Sequence, residues 1–413
     1  GMTQLPTLIL GPADELPRAD AQETPHIAWR EGFDAADIAE LSAISKTAVQ
    51  NDLTPDVFAT PEWLSAVKDY PEARRKALWT LRIFDVHGVS IALAPFTYCK
   101  ERLRGLRLRT LRVLGDPIAD RFAPASSHAV EYARYVEAVL TTPFKWDAAI
   151  LSEAILNDVD KDEIVRTAKA AGYRVDFRTT SLCPIISMET LNGDPGMTRY
   201  VKKLRQNIRR AERYLSELGN VELEKHMVTT DNVDDLLTVM LSLESHSSKR
   251  AEDRSFFFHD EAKRLLKQLA ATPSPHFETH VFFLTLNDAP IAFDFGFTSN
   301  KRFYAYQGSF DKAYSQGSPG VALAERVMRR MVEEGYEAMD ASRTSMLRAT
   351  YMTRWPHEVR EHSRIYIYGD TIRGRLYWML DTQIRPALKK LRTRYEASQS
   401  SLRRNASART RIP

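Results

Sequence analysis

Only two cysteines, Cys99 and Cys183, occur in 413 residues, too few for a disulfide framework or a multi-cysteine zinc site. The ten histidines are sparse as well: His246 and His259 have no His, Asp or Glu partner at metal-ligand spacing, so no metal is expected. No stretch approaches the roughly 18–20 uninterrupted apolar residues that a membrane-spanning helix needs. Behind Gly1, read as a cloning remnant ahead of a native Met2, no basic-then-apolar leader follows. The expectation is a cytoplasmic protein of a reducing compartment. What is present is ordinary: 43% apolar and 27% charged residues disfavour wholesale disorder, collagen-like repeats and a coiled-coil rod. At roughly 150 residues per domain, the length implies two to three domains.

A net charge of +4 hides an asymmetry. From Arg385 to Pro413 nine basic residues face one acid, Glu396, so the tail carries +8 and residues 1–384 sum to −4. Affinity for polyanions therefore belongs to the tail, and without aromatic interleaving beyond Tyr395 no specific DNA or RNA recognition is expected. Contact between the tail and anionic surfaces stays open beside a plain solubility role. A helix is expected no further than Tyr395, with 398–401 and 405–408 disordered.

The chain divides into a helical lead-in (1–55), a first α/β unit (56–190), a second α/β unit (191–380) and the basic tail (381–413). Residues 31–49 read as an amphipathic helix, and Thr60-Pro61 reads as an N-cap followed by proline at the first helical position. Strands are expected at 78–84 and 89–98 around the turn Asp85-Val86-His87-Gly88, then at 106–114, 147–151 and 173–186, with helices at 128–140 and 160–171. Leu191-Asn192-Gly193-Asp194-Pro195-Gly196 is the clearest break. Helices at 198–218, 233–245 and 260–271 follow it, then strands at 279–286, 291–298 and 302–308 joined by polar turns at Asn287-Asp288 and Ser299-Asn300. A helix at 321–334 and strands at 337–341 and 364–368 close the second unit. Both units read strands, helix, strand, helix, strand, which implies a duplicated α/β (α+β) fold.

The loop Gln316-Gly317-Ser318-Pro319-Gly320-Val321-Ala322 joins a strand to a helix. Small residues there let backbone N–H groups approach a diphosphate, with the helix N-terminus adding partial positive charge; glycine and proline also open helices that bind nothing. The helix at 198–218 bears seven basic residues against Glu212 and Glu217, with Arg205 and Arg209 one turn apart. It is either a solvated amphipathic helix or a contact for an anionic acceptor, a nucleotide phosphate or a tRNA backbone.

A three-stranded meander, a glycine loop, a helix and a further strand resemble the acyl-CoA-binding core of GNAT acyltransferases, whose loop reads Gln/Arg-x-x-Gly-x-Gly/Ala. Gly320-Val321-Ala322 fits the second half of that pattern, whereas Gln316 stands one position too early and Gly317 takes its place. Within that superfamily the chain resembles the CelD/BcsL-type acetyltransferases associated with cellulose and exopolysaccharide biosynthesis. The resemblance runs from about 55 to 370 through Phe58 to Trp63, Leu114-Gly115-Asp116 with Asp120, and Leu204 to Arg210. It continues in Leu243-Glu244-Ser245, Ser318-Pro319-Gly320, and Asp340 with Tyr351 and Trp355. A lysine that often follows the late tyrosine is Met352 here. The resemblance implies tandem GNAT-like units, each with a mixed, mostly antiparallel sheet flanked by helices. It also implies acetyl-CoA as donor, an amine or hydroxyl acceptor of a sugar or sugar-linked precursor, and a donor site at Gln316, Gly317, Ser318, Gly320, Val321 and Ala322. FemAB-like peptidyltransferases share the double-domain architecture and take an amino acid from aminoacyl-tRNA, which keeps tRNA open as a partner. A non-catalytic polyanion-binding scaffold is the alternative outside enzymes.

Direct acyl transfer needs a base for the acceptor, donors for the carbonyl oxygen and an acid or water for the thiolate, but no covalent nucleophile. Three carboxylates are candidate bases. Glu244 is singled out by the resemblance; Asp294 is set mid-strand, with Ile291, Phe293, Phe295 and Phe297 on one face and Ala292, Asp294 and Gly296 on the other. Asp340 ends a strand beside Ser342, as a cleft residue or a structural cap. Tyr304 and Tyr306 share a strand face and join Tyr351, Arg205 and Arg209 as candidate substrate contacts; buried aromatics on a sheet also serve simply as core.

Overall fold

The structure, a computed structural model, describes residues 26–70, 75–247, 259–342, 344–345 and 354–409. Its first half contributes β1 (Ile27–Glu31), β2 (Ala77–Phe84), β3 (Ser90–Leu103), β4 (Leu106–Val113), β5 (Ala125–Ser126), β6 (Ala148–Ile155) and β7 (Arg174–Ser187). The second contributes β8 (Val221–Met227), β9 (Glu278–Leu286), β10 (Ala289–Ser299), β11 (Arg302–Phe310), β12 (Ala338–Asp340), β13 (Thr344–Ser345) and β14 (Glu358–Tyr368). Around them lie α1 (Ala35–Gln50), α2 (Pro61–Val67), α3 (Tyr132–Leu140), α4 (Asp158–Ala170), α5 (Met188–Asn192) and α6 (Lys202–Leu218). These are followed by α7 (Val233–Ser245), α8 (Asp260–Ala271), α9 (Pro319–Glu333), α10 (Ile372–Trp378) and α11 (Arg385–Arg409).

The strands form one sheet in the order β1-β2-β3-β4-β6-β14-β7-β12-β11-β10-β9-β8, with β5 on β3 and β13 on β7. Each half repeats one pattern. β2, β3 and β4 pair antiparallel, and β6, reached through α3, pairs parallel with β4. β9, β10 and β11 pair antiparallel, and β12, reached through α9, pairs parallel with β11. The mixed, mostly antiparallel, duplicated α/β arrangement expected from the sequence is therefore present. The halves meet through exchanged strands. β14, the last strand of the second half, lies between β6 and β7, and β7 runs on to pair with β12.

Helices cover both faces. On one face of the second half, α7 and α8 pack with α1 and α2 over Phe293, Phe295, Phe297 and Tyr304; on the other, α5, α6 and α9 cover Phe282, Leu284, Ala292 and Phe303. The start of the first unit thus packs on the second half's sheet: Phe58 and Trp63 meet Phe297 edge-on at centroid distances of 6.4 and 5.5 Å. Thr60 caps α2 as expected, accepting from the Trp63 N–H at 3.4 Å.

Several local expectations change. Ile27–Glu31 is an edge strand and α1 begins at Ala35 behind the Asp34 cap, because the apolar residues of 27–31 pair with β2 instead of continuing the helix. A register shift between Pro290 and Ala292 turns Ile291 onto the α6/α9 face, apart from Phe293, Phe295 and Phe297. The second hairpin turn is Asn300-Lys301, both at positive φ (49° and 60°). The tail segments expected to be disordered are helical, since α11 continues to Arg409.

Candidate functional site

β11 and β12 are paired for three residues only, Arg302↔Ala338 to Tyr304↔Asp340. Beyond Tyr304, β11 continues to Phe310 against β10 alone, while the chain after β12 follows β7, with Thr344↔Leu182 and Ser345↔Ser181. Among the described residues the two strands therefore splay into a wedge-shaped gap with Tyr304 and Asp340 at its vertex. A β-bulge sits on the gap edge: Phe295 opposes Gln307 and Gly296 opposes Ala305, which leaves Tyr306 as the extra residue. Such a bulge turns backbone groups out of the ladder.

The N-terminus of α9 lies at this same end, because a parallel crossover starts its helix at the C-terminal edge of the strand it leaves. The glycine loop leads into it: Lys312–Gly317 forms a 3-10 turn, Ser318 is left-handed at φ 46°, and α9 begins at Pro319. The two glycines of the loop differ. Gly317 is buried, and a Cβ there would lie 2.5 Å from the Tyr214 ring, so packing against α6 accounts for it. Gly320 is half-buried, has no positive φ, and a Cβ would meet nothing closer than the Phe310 ring at 3.7 Å. Nothing in the fold requires glycine there, although it costs about 1 kcal/mol relative to alanine inside a helix. Val321 and Ala322 are buried, and their N–H groups turn back to the Ser318 carbonyl at 3.0 and 3.2 Å. Gln316 is exposed. The Ser318 N–H donates to the Ser315 carbonyl at 3.2 Å and Pro319 has no N–H, so the loop donor left to approach a ligand is the Gly320 N–H.

The candidate bases surround the gap from different sides. Glu244 is fully buried near the end of α7, which the Lys312 N–H fastens to the end of β11 through the His246 carbonyl at 3.1 Å. Asp294 is half-buried opposite Gly308, and strand alternation from Phe293 and Phe295 puts it on the face covered by α6 and α9. Glu244 and Asp294 thus flank one strand end from opposite faces of the sheet. Tyr306 donates its hydroxyl to the Ile118 carbonyl at 2.6 Å. Tyr304 is buried, and burial, with the charges of Asp56 and Asp340, pushes its phenol well above the usual range.

Asp340 belongs to a buried network that joins the halves. Arg121, 3% exposed in its side chain, donates to Asp56 at 2.6 Å, to Asp340 at 3.0 Å and to Cys183 at 3.0 Å. Asp340 also accepts from the Cys183 thiol at 3.2 Å and the Ser342 N–H at 2.9 Å, and the Ser342 hydroxyl donates to Asp120. Burial opposes the charge of Asp340, yet Arg121 and these donors hold its carboxyl below the usual range. Burial, and then the Asp340 charge, pushes the Cys183 thiol well up, so it stays protonated as a donor. His362 accepts from Arg121 at Nε2 (3.4 Å) and lies 3.2 Å from Glu153 through Nδ1. A carboxylate held in this way is a poor proton acceptor and a good structural anion.

This arrangement agrees with what comparison of the sequence shows. Residues 202–350 match the Acetyltransferase (GNAT) domain family. No curated protein matches the chain significantly. Among solved structures, FemX is 11% identical, with 86% of this chain and 100% of FemX covered and a TM-score of 0.55. A conserved protein of unknown function from Bacteroides thetaiotaomicron is 10% identical, with 83% and 99% covered and a TM-score of 0.51. A tandem GNAT protein from the clavulanic acid biosynthesis pathway is 10% identical, with 84% and 99% covered and a TM-score of 0.45.

The GNAT-matching segment contains the meander, the loop, α9 and β12, and with them Glu244, Asp294, Tyr304, Tyr306 and Asp340. It also contains Arg205 and Arg209, but the structure does not bring these two to the gap. α6 runs antiparallel to α9, with Tyr214 at Gly317 and Glu212 paired to Arg326 at 2.7 Å. Arg209 and Arg205 lie about 8 and 14 Å further along the axis, away from the loop. Tyr351 lies outside the described residues. Sequence reasoning missed Arg121 and Cys183 as partners of Asp340, and Asp56 and His362 as partners of Arg121. The one signal was a charged pair, Asp120-Arg121, beside Phe122 in an otherwise unremarkable loop. Among the described residues no group of three or more His, Cys, Asp or Glu is placed to hold a metal ion.

Proposed function

We propose that this protein moves an acyl group, acetyl from acetyl-CoA, to an amine or hydroxyl of a sugar-linked acceptor. Gly320 carries the reading. It is a glycine that neither φ nor packing explains, at the N-terminus of α9, beside a splayed strand pair within the GNAT-matching segment. A diphosphate brought close to that backbone would meet the Gly320 N–H and the positive end of the helix. The corresponding helix of the first half, α3, starts behind Glu131 in a segment without glycine, Phe122 to Tyr132, which disfavours a second anionic donor there.

In this reading the pantetheine arm enters the gap between β11 and β12. The acceptor nitrogen or oxygen attacks the carbonyl carbon, its proton passes to Glu244 or Asp294, and the C–S bond breaks to release the thiolate, which is protonated from water. Asp340 is assigned to the Arg121 lock and not to proton transfer. The two halves act as units of about 56–190 and 191–380, with β14 exchanged between them. The sugar-linked acceptor rests on the CelD/BcsL resemblance alone.

A FemAB-like reading, with aminoacyl-tRNA as donor, is favoured by one observation: Tyr214 closes Gly317, which shortens the diphosphate cradle relative to the usual loop. Thermal unfolding with acetyl-CoA, CoA and ATP separates the two. At about 100-fold excess over Kd, binding adds about 2.7 kcal/mol, or about 3 °C for a chain of this size. A shift with the CoA species alone, absent in Gly320→Glu, supports acetyl-CoA; no shift with CoA and a shift with charged tRNA supports the second reading.

A further inference from the structure

We propose that α10 and α11 dock this protein onto an anionic lipid surface. α10 buries Gly374 and Tyr377 towards the sheet, and Tyr377 packs with Tyr366 and Tyr368 of β14. Its outer side carries Ile372, 87% exposed, and Leu376, with Met379 just past its end, both exposed. A π-helical turn, Met379–Ile384, joins α10 to α11, and from its last residue, Ile384, the stripe continues along α11 through Leu388 (60% exposed), Leu391 and Tyr395 (66% exposed). Spacings of four, three and four residues put the last four on a single line of the helix. Four water-exposed apolar side chains aligned over about three turns, with Ile372, Leu376 and Met379 exposed ahead of them, are not the scattered surface residues of an ordinary solvated helix.

The charge on either side of the stripe matches a phosphate-bearing interface. On a 3.6-residue helix, Arg385, Lys389 and Arg392 fall along one edge of the α11 stripe, and Lys390 and Arg394 along the other. All five are exposed, and Glu396, the one acid of this stretch, is taken up by Arg392 at 2.8 Å. The β3–β4 hairpin adds to the same side: Arg373 of α10 donates to the Arg107 carbonyl at 3.0 Å and Arg104 pairs with Asp381 at 3.1 Å. Cations along both edges of an apolar stripe can place their heads among lipid phosphates while their stems cover hydrocarbon.

Charge and shape favour a lipid surface over other occupants. A nucleic acid would satisfy the cations but leave the aliphatic stripe in water. A second copy of the helix would set two rows of cations against two rows of cations. Among the described residues no helix is long and apolar enough to cross a membrane, so the segment lies in the interface plane.

This inference does not rest on the acyl-transfer reading, because the test needs neither donor nor acceptor. The full chain is co-sedimented with phosphatidylcholine vesicles with and without phosphatidylglycerol. Binding is expected only with phosphatidylglycerol. The Lys389→Gln/Arg392→Gln variant should lower partitioning roughly 30-fold at low salt, from about 1 kcal/mol per surface cation. Leu388→Asp/Leu391→Asp should abolish binding with an unchanged melting temperature, since both side chains are exposed. Three results would overturn the proposal: no sedimentation with phosphatidylglycerol vesicles, unaltered binding by the double aspartate variant, or concentration-dependent dimers without vesicle binding.

Discussion

Replacing Arg121 with methionine removes the cation that two carboxylates from distant parts of the chain share. The side chain is 3% exposed, and it holds Asp56 at 2.6 Å and Asp340 at 2.8 Å. Methionine fills much of the volume but leaves two like charges facing each other in a dry site. Breaking a buried pair from one side costs about 3–5 kcal/mol, which lowers the melting temperature by about 3–6 °C for 413 residues at the usual entropy per residue. The sign of the pH dependence follows from Asp340. Its carboxyl is held below the ordinary range in the folded protein, so its contribution is full at neutral pH and is lost as pH falls below about 4. In Arg121→Met burial and the facing carboxylate favour protonation in the folded state, so that acid-side loss should disappear and part of the missing stability should return as pH falls. Urea unfolding of the wild type, Arg121→Met and the triple variant that adds Asp56→Asn and Asp340→Asn measures the effect. The triple variant should recover much of the loss, because no uncompensated charge remains buried. An Arg121→Met variant within 1 kcal/mol of wild type, or no recovery in the triple variant, would refute the idea that charge compensation, and not packing, makes this cluster matter.

Other predictions follow from the same geometry. Gly320→Ala should fold as well as wild type, with its Cβ no closer than 3.7 Å to a neighbour, yet weaken the melting-temperature shift with acetyl-CoA. Gly317→Ala should lose about 1–3 kcal/mol from overpacking against the Tyr214 ring, 2.5 Å from the new Cβ, as read by urea unfolding. Glu244→Gln or Asp294→Asn should lower turnover by about 100-fold or more if that carboxylate is the base, with donor binding retained; full activity in both would remove both from the mechanism. Asp37 is buried; burial opposes its charge, and Arg30, Arg82 and the Asp34 N–H hold its carboxyl down at about 2. Its stabilisation is therefore present above pH 4 and lost as pH falls towards 2, and Asp37→Asn should flatten the difference in unfolding free energy over that window.

Local sequence patterns located the parts of the site more reliably than their roles. The meander was legible because Asn287-Asp288 and the residues around Asn300 permit the left-handed turns that hairpins require. The loop before α9 was legible because glycine and proline cluster there, but the separate roles of Gly317 and Gly320 were not. Tyr214, which fills the space over Gly317, lies about 100 residues away in sequence. Alternation along β10 gave the correct face for Phe293, Phe295 and Phe297 and failed at Ile291, where a register shift breaks the period of two. Asp340 was visible as a chemically notable carboxylate, whereas Arg121, which takes it out of acid–base chemistry, is 219 residues distant.

The sequence by itself determined the element types, the repeated order of strands and helices, the glycine-rich helix start and the separation of a basic tail from a mildly acidic body. These properties depend on residues within a few turns of one another. Only the tertiary structure decided that β14 crosses into the first half's sheet, that Phe58 and Trp63 pack on the second half, and that Glu244 and Asp294 approach one strand end from opposite faces. It also decided that the tail is a helix with an apolar line between two rows of cations. Strand partners and buried charge pairs are chosen by the fit of surfaces far apart in the chain, and no local period records that fit.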